Sequence, residues 1–510
     1  MKRIYKIGSV LLQTVKQRSL EFVVFVCGAA VMVFELVGSR ILAPYIGTSL
    51  YVWTSLIGVV LGALSIGYFL GGRIADKHPY PKPLSFAILC AAVSIGLVGF
   101  FKDAVLAALA SLIVEHIEVR AFFSSLALFG PASIFLGMVS PFAARLKINA
   151  VSGSGATVGG LYALSTLGSI AGTFLAGFFL IPFFGSTKIL FFLAAILLLT
   201  SMTLLPMKTA RRGLPFQHML SISLLVSFLI PLTHNHIRSN LIDVDTAYNR
   251  IWIFNGAHPA TGKQTLNLMT DPFGIQSAMF LESDEPVFEY LKFYRLAEFF
   301  NPNIKKVLLI GGGAYSYPKI FLKQFPNGAI DVVEIDPKLT ELARAYFRLR
   351  DDGRLRIFHE DGRVFINRVE ERYDAIFSDA FTSASSIPFH LTTIQAVRRE
   401  FEMLREGGLT IVNTISAIDG ERGKFLRAEY ATYRAIFPQV FLFPVASNDP
   451  HAVQNILLVA LKSPRLTHSS ENTEIAALLA RQWKKEIPLD MPVLTDDFAP
   501  VDYYRRNTFF

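Results

Sequence analysis

Cysteine is nearly absent from this chain. Only Cys27 and Cys90 occur, both in apolar runs. That excludes a disulfide-stapled scaffold and a thiolate metal site. Charge is scarce too: Asp, Glu, Lys and Arg make up 17% of the residues, against roughly 25% in soluble globular chains. The scarcity is uneven. Residues 1–240 hold six acidic residues and 18 Lys and Arg, whereas the remainder holds 34 and 31. The net charge of +9 therefore belongs to the apolar half. This argues against nucleic-acid binding and for basic loops beside a membrane. No His-Glu-x-x-His, Walker loop or Gly-x-Ser-x-Gly elbow occurs, so zincin, P-loop and α/β-hydrolase chemistry are not indicated. His234-x-His236 has no third ligand nearby in sequence and reads as a polar segment, not a metal site.

What is present is hydrophobic length. Of the 510 residues, 52% are hydrophobic. Runs at 22–43, 52–72, 84–101, 121–142, 157–184, 188–206 and 214–233 predict seven membrane spans, each able to cross a hydrocarbon core of about 30 Å. The first run is too long for a signal-peptide core. Ala104–Val114 is too short to span and is expected at the interface. Alternation puts thirteen Lys and Arg on one side and five on the other, which orients the amino terminus to the cytoplasm. Seven spans would then leave the second half outside. Glu35 lies within the first span with Arg40 five residues later. A charge in lipid needs a partner or a polar cavity, so Glu35 reads either as a structural pair with Arg40 or as a ligand or proton site. Gly58/Gly62, Gly67/Gly71 and Gly168/Gly172 are small-xxx-small pairs and predict close helix packing. The glycine-rich 157–184 run predicts a bent helix.

Near Asn240 the periodicity changes. Tyr248–Phe254 and Gln264–Met269 read as short strands of a small β-module. A helix is expected over Pro286–Phe300. Strands follow at Lys306–Ile310, Ala329–Val333, Leu355–Phe358, Tyr373–Ser378 and Leu409–Asn413, with helices at Tyr317–Phe325 and Pro337–Phe347 between them. This alternation predicts a doubly wound parallel sheet, whose ligands bind beyond the carboxyl ends of the strands. The domain plan is thus a membrane domain over 1–235, a β-module over 240–285 and an α/β domain over 286–510.

The first strand ends in Gly311-Gly-Gly313, where backbone can come close to a ligand. Acidic residues then stand at three successive strand ends: Glu334, Asp361 and Asp379. A carboxylate at the second strand end can accept ribose hydroxyls. The turn reads Gly311-x-Gly313-x-x-Ser316 and lacks the third glycine of a dinucleotide fingerprint. Further carboxylates would repel a pyrophosphate but suit a sulfonium cation. The bland alternative is that these acids cap the helices that follow.

These residues resemble the spermidine synthase (polyamine aminopropyltransferase) family, and more closely the bacterial membrane proteins that fuse a multi-span half to a spermidine synthase-like domain. The resemblance rests on Tyr248-Asn-Arg-Ile, Asp271-Pro-Phe-Gly-Ile-Gln276, Val307-Leu-Leu-Ile-Gly-Gly-Gly, Val333-Glu-Ile-Asp-Pro337, Asp361-Gly-Arg363 and Ser378-Asp-Ala. Glu35-Leu-Val-Gly-Ser-Arg40, Gly67-Tyr-Phe-Leu-Gly-Gly-Arg73 and Leu494-Thr-Asp-Asp-Phe-Ala-Pro500 add to it. It implies a class I methyltransferase-like, Rossmann-like fold beside an α-helical multi-span domain. It implies a multi-pass protein of the inner membrane, and a polyamine-forming transferase using decarboxylated S-adenosylmethionine, or S-adenosylmethionine, as co-substrate with a small amine such as putrescine. No metal and no nucleic acid are implied; an oligomer would form through the soluble domain. Cytosolic supply of the donor favours a cytoplasmic soluble half, opposite to the charge count.

Carried over by position, Glu334 would hold the ribose and Asp361 with Gly362 the adenine, beside Gly311 and Gly313. Asp379 would accept the proton of the attacking amine. Asn249 stands where the family usually has a glutamine near the ligand. Gln276, Tyr290, Thr382 and His390 are the further substrate-binding candidates. Two departures matter: Ala314-Tyr315-Ser316 replaces the family's Asp-Gly-Gly, and Asp379-Ala-Phe-Thr382 replaces its Asp-x-x-Asp. Two alternatives stay open: a methyltransferase with the same donor, and a membrane transporter or sensor that binds polyamine or nucleoside without turning it over.

Overall fold

A computed structural model of the chain describes residues 2–47, 49–112, 116–148, 153–204, 224, 241–270, 274–380, 387–464, 470–505 and 508. The chain divides into two compact units. The first comprises Met1–Ile46, Leu50–Ile237 and Asp245–Ala247, the second Gly47–Ser49, Arg238–Val244 and Tyr248–Phe510.

Six helices of the first unit are long and apolar enough to cross a membrane: Ser19–Ala43, Leu50–Lys77, Pro81–Ser111, Ile117–Lys147, Ser154–Leu180 and Ser186–Thr203. The expected seventh span, 214–233, lies outside the described residues apart from position 224, as does His234-x-His236. The segment expected at the interface, Ala104–Val114, instead continues the helix Pro81–Leu112 as far as Leu112. Nothing in its sequence breaks a helix, so the turn-by-turn hydrogen bonding simply propagates. The predicted bend near Pro182 takes the form of a π-helical turn, Ala176–Leu180, between Ser154–Leu175 and Ile181–Phe183. A missing proline N–H has this effect on the ladder of the preceding turn.

Two glycine pairs pack as expected. A Cβ on Gly67 would sit 2.2 Å from the Ile134 carbonyl oxygen, and one on Gly168 would sit 2.1 Å from that of Phe25. Cβ atoms on Gly71 and Gly172 would sit 2.6 Å from Met138 Cα and 2.4 Å from the Ala29 carbonyl oxygen. Gly58 and Gly62 differ: a Cβ there would meet nothing within 4 Å. Spacing alone does not tell a packed face from an open one. Glu35 is half-buried and makes no ion pair with Arg40 among the described residues. Five residues apart on one helix, the two positions fall outside the three- and four-residue spacings at which helical side chains meet.

In the second unit, β1 (Leu241–Asp245), β2 (Arg250–Ala257), β3 (Gln264–Met269) and β4 (Ser277–Phe280) form one sheet in that order. β2–β3 and β3–β4 are antiparallel, with Trp252 opposite Met269 and Thr265 opposite Phe280. The main sheet has seven strands in the order β10-β11-β9-β8-β5-β6-β7. β5 (Lys306–Ile310), β6 (Ala329–Val333), β7 (Leu355–Phe358), β8 (Tyr373–Ser378) and β9 (Leu404–Ser416) are parallel. β10 (Gln439–Pro444) and β11 (Gln454–Leu461) add an antiparallel edge. The sheet is therefore mixed rather than wholly parallel.

Period-two alternation sorts each central strand onto two cores. Val307, Leu309, Phe377 and Ile411 pack on one face, with Leu339 and Leu342 of the helix Pro337–Tyr346. Leu308, Ile310, Ile376 and Val412 pack on the other, with Phe365 and Val397. Ile251, Ile253 and Leu268 of the small sheet belong to the first of these cores, so the β-module and the α/β region share one interior. The helix expected over Pro286–Phe300 is two short ones, Tyr290–Phe293 and Leu296–Phe300. Between them the bonds tighten to three-residue spacing, from Ala297 to Tyr294 and from Glu298 to Arg295, a 3₁₀-type adjustment. It lets Leu291, Tyr294, Leu296 and Phe300 all be buried. Strand order reverses between β5 and its neighbours β6 and β8, which opens a crevice at their carboxyl ends.

Candidate active site

The turn after β5 shapes this crevice. Gly311 adopts φ +96°, and a Cβ on it would lie 2.4 Å from the Asp379 carbonyl oxygen. Only glycine meets both conditions. Gly313 is also left-handed, at φ +51°. Tyr315 takes φ +56°, costly for a side-chain-bearing residue. It is held there by burial and by a 2.6 Å hydrogen bond between its hydroxyl and that of Thr340.

The turn amides aim at Glu334, which follows β6. Its Oε2 accepts from the Gly312 and Gly313 N–H groups at 2.9 and 3.1 Å, and its Oε1 from Asp336 N–H at 2.9 Å. Three of about four acceptor positions are thus filled. Burial pushes its carboxyl above the usual range, although the three amides favour the charged form. Glu334 is no helix cap. Asp336 is, accepting from Lys338 N–H at 3.0 Å.

Asp361 does cap the helix Gly362–Arg368: its Oδ1 accepts from Arg363 and Val364 N–H at 2.8 and 3.1 Å. Its other oxygen faces His390 Nε2 at 3.1 Å. The capping and the site readings of this residue therefore hold together. Gly362 is required by contact, since a Cβ would sit 2.8 Å from Ile310 Cγ2. Arg363 donates to the His390 carbonyl oxygen at 2.7 Å and to Asp496 at 2.8 Å. It thereby ties the Asp361–His390 corner to the Leu494–Pro500 motif.

Asp379, just past β8, keeps some surface toward the crevice and is otherwise enclosed by protein. Its Oδ2 accepts from the Tyr290 hydroxyl at 3.0 Å and its Oδ1 from Asn413 Nδ2 at 2.9 Å. Asn413 Oδ1 in turn accepts from Asn455 Nδ2 at 2.9 Å. Enclosure raises the Asp379 carboxyl above the ordinary aspartate range, with Asn413, Tyr290 and, more weakly, Tyr294 opposing. The buried Tyr294 hydroxyl lies near enough to act through its dipole but makes no hydrogen bond of ordinary length among the described residues. Tyr290 is raised well above the phenol range by its own burial and then by the Asp379 charge.

Gly311, Gly313, Glu334, Asp361, Gly362, Asp379, Asn249, Gln276, Tyr290 and His390 all line one cavity of about 370 Å³. Thr382 lies outside the described residues. Gln276, next to β4, is set by the Thr270 hydroxyl, which donates to its Oε1 at 2.5 Å. Four carboxylates line the cavity, Glu334, Glu360, Asp361 and Asp379, and no Lys or Arg does so among the described residues. Sequence reasoning names neither Asn413 nor Asn455 as a site residue, and reaches Asp496 only as part of the Leu494–Pro500 motif. Asn413 ends a recognised strand, which was a usable signal. Asn455 belongs to an antiparallel strand that the α/β pattern does not announce. No group of three or more metal-ligating side chains occurs among the described residues.

Residues 292–449 match the Spermine/spermidine synthase domain. A polyamine aminopropyltransferase of Vibrio vulnificus is 28% identical over 233 residues, covering 42% of this chain and 75% of the relative. One from Clostridium beijerinckii is 36% identical over 119 residues, 22% of this chain and 40% of the relative. Among solved structures, a probable spermidine synthase from Corynebacterium glutamicum is 22% identical, at TM-score 0.38, over 45% of this chain and 82% of that one. The C-terminal part of this chain, with its parallel core and glycine turn, carries a spermine/spermidine synthase domain.

Proposed function

We propose that the soluble unit transfers an aminopropyl group from decarboxylated S-adenosylmethionine to a small primary amine. The names borne by the relatives point to this chemistry. The observation that carries it here is the Asp379 carboxylate, pinned between Tyr290 and Asn413 at the crevice where the strand order reverses. A cavity of about 370 Å³ is within the range of small-molecule sites, ~300–1,000 Å³. Its four carboxylates suit a donor carrying a sulfonium and an ammonium. With no Lys or Arg among the described lining residues, a donor that keeps its carboxylate would lack a counter-charge. This favours the decarboxylated donor over S-adenosylmethionine, and aminopropyl over methyl transfer.

In this reading Glu334 receives a ribose hydroxyl on its remaining acceptor position, and Asp361 with His390 borders the base. The amine, neutral when it reacts, places its lone pair on the propyl carbon bonded to sulfur. The C–N bond forms as the C–S bond breaks, and the electron pair of that bond stays on sulfur, giving a neutral thioether. The extra proton passes to Asp379. A raised carboxyl pKa makes it a better acceptor at neutral pH. Orientation of amine and carbon supplies much of the remaining acceleration. Cytosolic supply of the donor favours the cytoplasmic side for this unit, against the charge count, and a carboxyl-terminal reporter tests it.

The deciding experiment incubates the full chain with an amine panel and either donor, and identifies products by mass. Aminopropylated amine formed only with the decarboxylated donor supports the reading. Methylated product, or binding of methylthioadenosine without any product, rejects it.

A further inference from the structure

The cavity's carboxylates are not spread evenly along the sheet. Glu334 follows β6, and Glu360 and Asp361 follow β7, all on one side of β5. On the other side, beyond β8, the lining comes from Asn413 and Ile415 of β9 and Asn455 of β11. Asp379 is the only carboxylate lining that side among the described residues. Each of its oxygens already accepts a hydrogen bond. Glu429 also lies on that side, but it borders a separate space of about 20 Å³, room for about one water. Its Oε2 is also taken by the Thr414 hydroxyl at 2.6 Å.

The proposed chemistry sets the adenosyl donor over β5, β6 and β7, so the amine approaches over β9 and β11. A diamine brings two ammonium groups. Asp379 serves the attacking one. Among the described residues lining that side, the far one would meet two amides and an isoleucine, which supply dipoles but no opposite charge. Desolvating a cation against such a lining is unfavourable. The amides are instead matched to an uncharged polar group. Asn413 spends one N–H on Asp379, and Asn455 spends one N–H on Asn413. Each keeps a second N–H, and Asn455 keeps its carbonyl oxygen. A hydroxyl or an amide can both donate to and accept from that pair.

Resting on the transfer reading above, we propose that the acceptor is a primary amine whose far end is uncharged and polar, an amino alcohol or amino amide, rather than a diamine. The bond changes are those already given, with the far end taking no part in them.

The test presents the full chain with decarboxylated S-adenosylmethionine and, separately, 4-aminobutan-1-ol, 4-aminobutanamide and putrescine. kcat/KM is read from the mass-resolved products. The expected result is a preference of about tenfold or more for one of the uncharged-tail amines over putrescine, as befits a site that hydrogen-bonds one substrate and leaves the other's charge unpaired. Ile415→Glu places a carboxylate on the same wall and is expected to raise putrescine use while leaving methylthioadenosine binding intact. Putrescine turned over as well as, or better than, the uncharged-tail amines by the unaltered chain overturns this inference and leaves the transfer reading standing. Absence of product with every amine, while methylthioadenosine binds, rejects the transfer reading and this inference with it.

Discussion

Asn413 donates its Nδ2 hydrogen to Asp379 Oδ1 at 2.9 Å, linking the carboxyl ends of two adjacent parallel strands. The bond does two things. It fixes the carboxylate toward the crevice, and it opposes the rise in proton affinity that enclosure imposes. Asn413→Ala should remove both. Its acid limb in kcat/KM should move to higher pH, because the lost donor had favoured the charged form. A profile superimposable on that of the unaltered chain would show that the bond is ornamental.

Asp379→Asn keeps the volume and removes the proton acceptor. Turnover should fall by roughly 10²–10⁴-fold, the span usual for a general base. Methylthioadenosine affinity, measured by calorimetry, should stay within a few-fold. For the unaltered chain the activity should decline as pH falls, with a midpoint above the ordinary aspartate range, since the Asp379 carboxyl is raised. Asp379→Asn should lack that limb.

Gly311→Ala meets both a left-handed backbone and a carbonyl oxygen 2.4 Å from the new Cβ. The strain should cost about 1–3 kcal/mol of stability. The turn would also move away from Glu334, whose partners are the next two amides. Lower thermal midpoint together with weaker nucleoside binding is the expected pair of results.

Asp496 does not line the cavity, yet it accepts from Arg363 at 2.8 Å and from the Thr393 hydroxyl at 2.6 Å. Arg363 in turn holds the backbone of His390. Asp496→Ala should therefore raise KM for the donor more than it lowers kcat, and the conservative Asp496→Asn should restore part of the loss. An equal fall in both parameters would count against this positioning role.

Behind β9, Glu400 and Glu429 are buried on the helices Ile394–Met403 and Lys424–Arg434. Burial pushes their carboxyls up to about 8 and about 7 respectively. A raised carboxyl pKa means that the folded chain holds the proton more tightly than the unfolded one. Stability is then full below the unfolded carboxylate range and falls as pH rises through about 7 to 8. Melting temperature in detergent should drop across that window, and Glu400→Gln should flatten the drop while keeping an acceptor for the Tyr433 hydroxyl, now 3.0 Å away.

Much of this architecture was legible from local pattern. Six of the apolar runs fold into helices of spanning length. β3, β5, β6, β7 and β8 begin and end where alternation and turn residues place them. Glycines at 311 and 313 announce the turn because only they tolerate its backbone cheaply. The acids at strand ends were visible because an α/β repeat delivers successive strand ends to one rim.

What the sequence determined by itself, then, is periodic: the spans, the central strands, the glycine turn and the acids that follow it, each dictated by chain-local sterics and hydrophobic spacing. What only the tertiary structure decided is pairing across distance. Gly67 packs while Gly58 lies open, Glu35 makes no pair with Arg40 among the described residues, and β10 and β11 close the sheet antiparallel. Asn455 reaches Asp379 through Asn413, and Asp496 reaches His390 through Arg363. Such contacts join residues 27 to 133 positions apart, and no local preference encodes a partner that arrives only when the whole sheet is assembled.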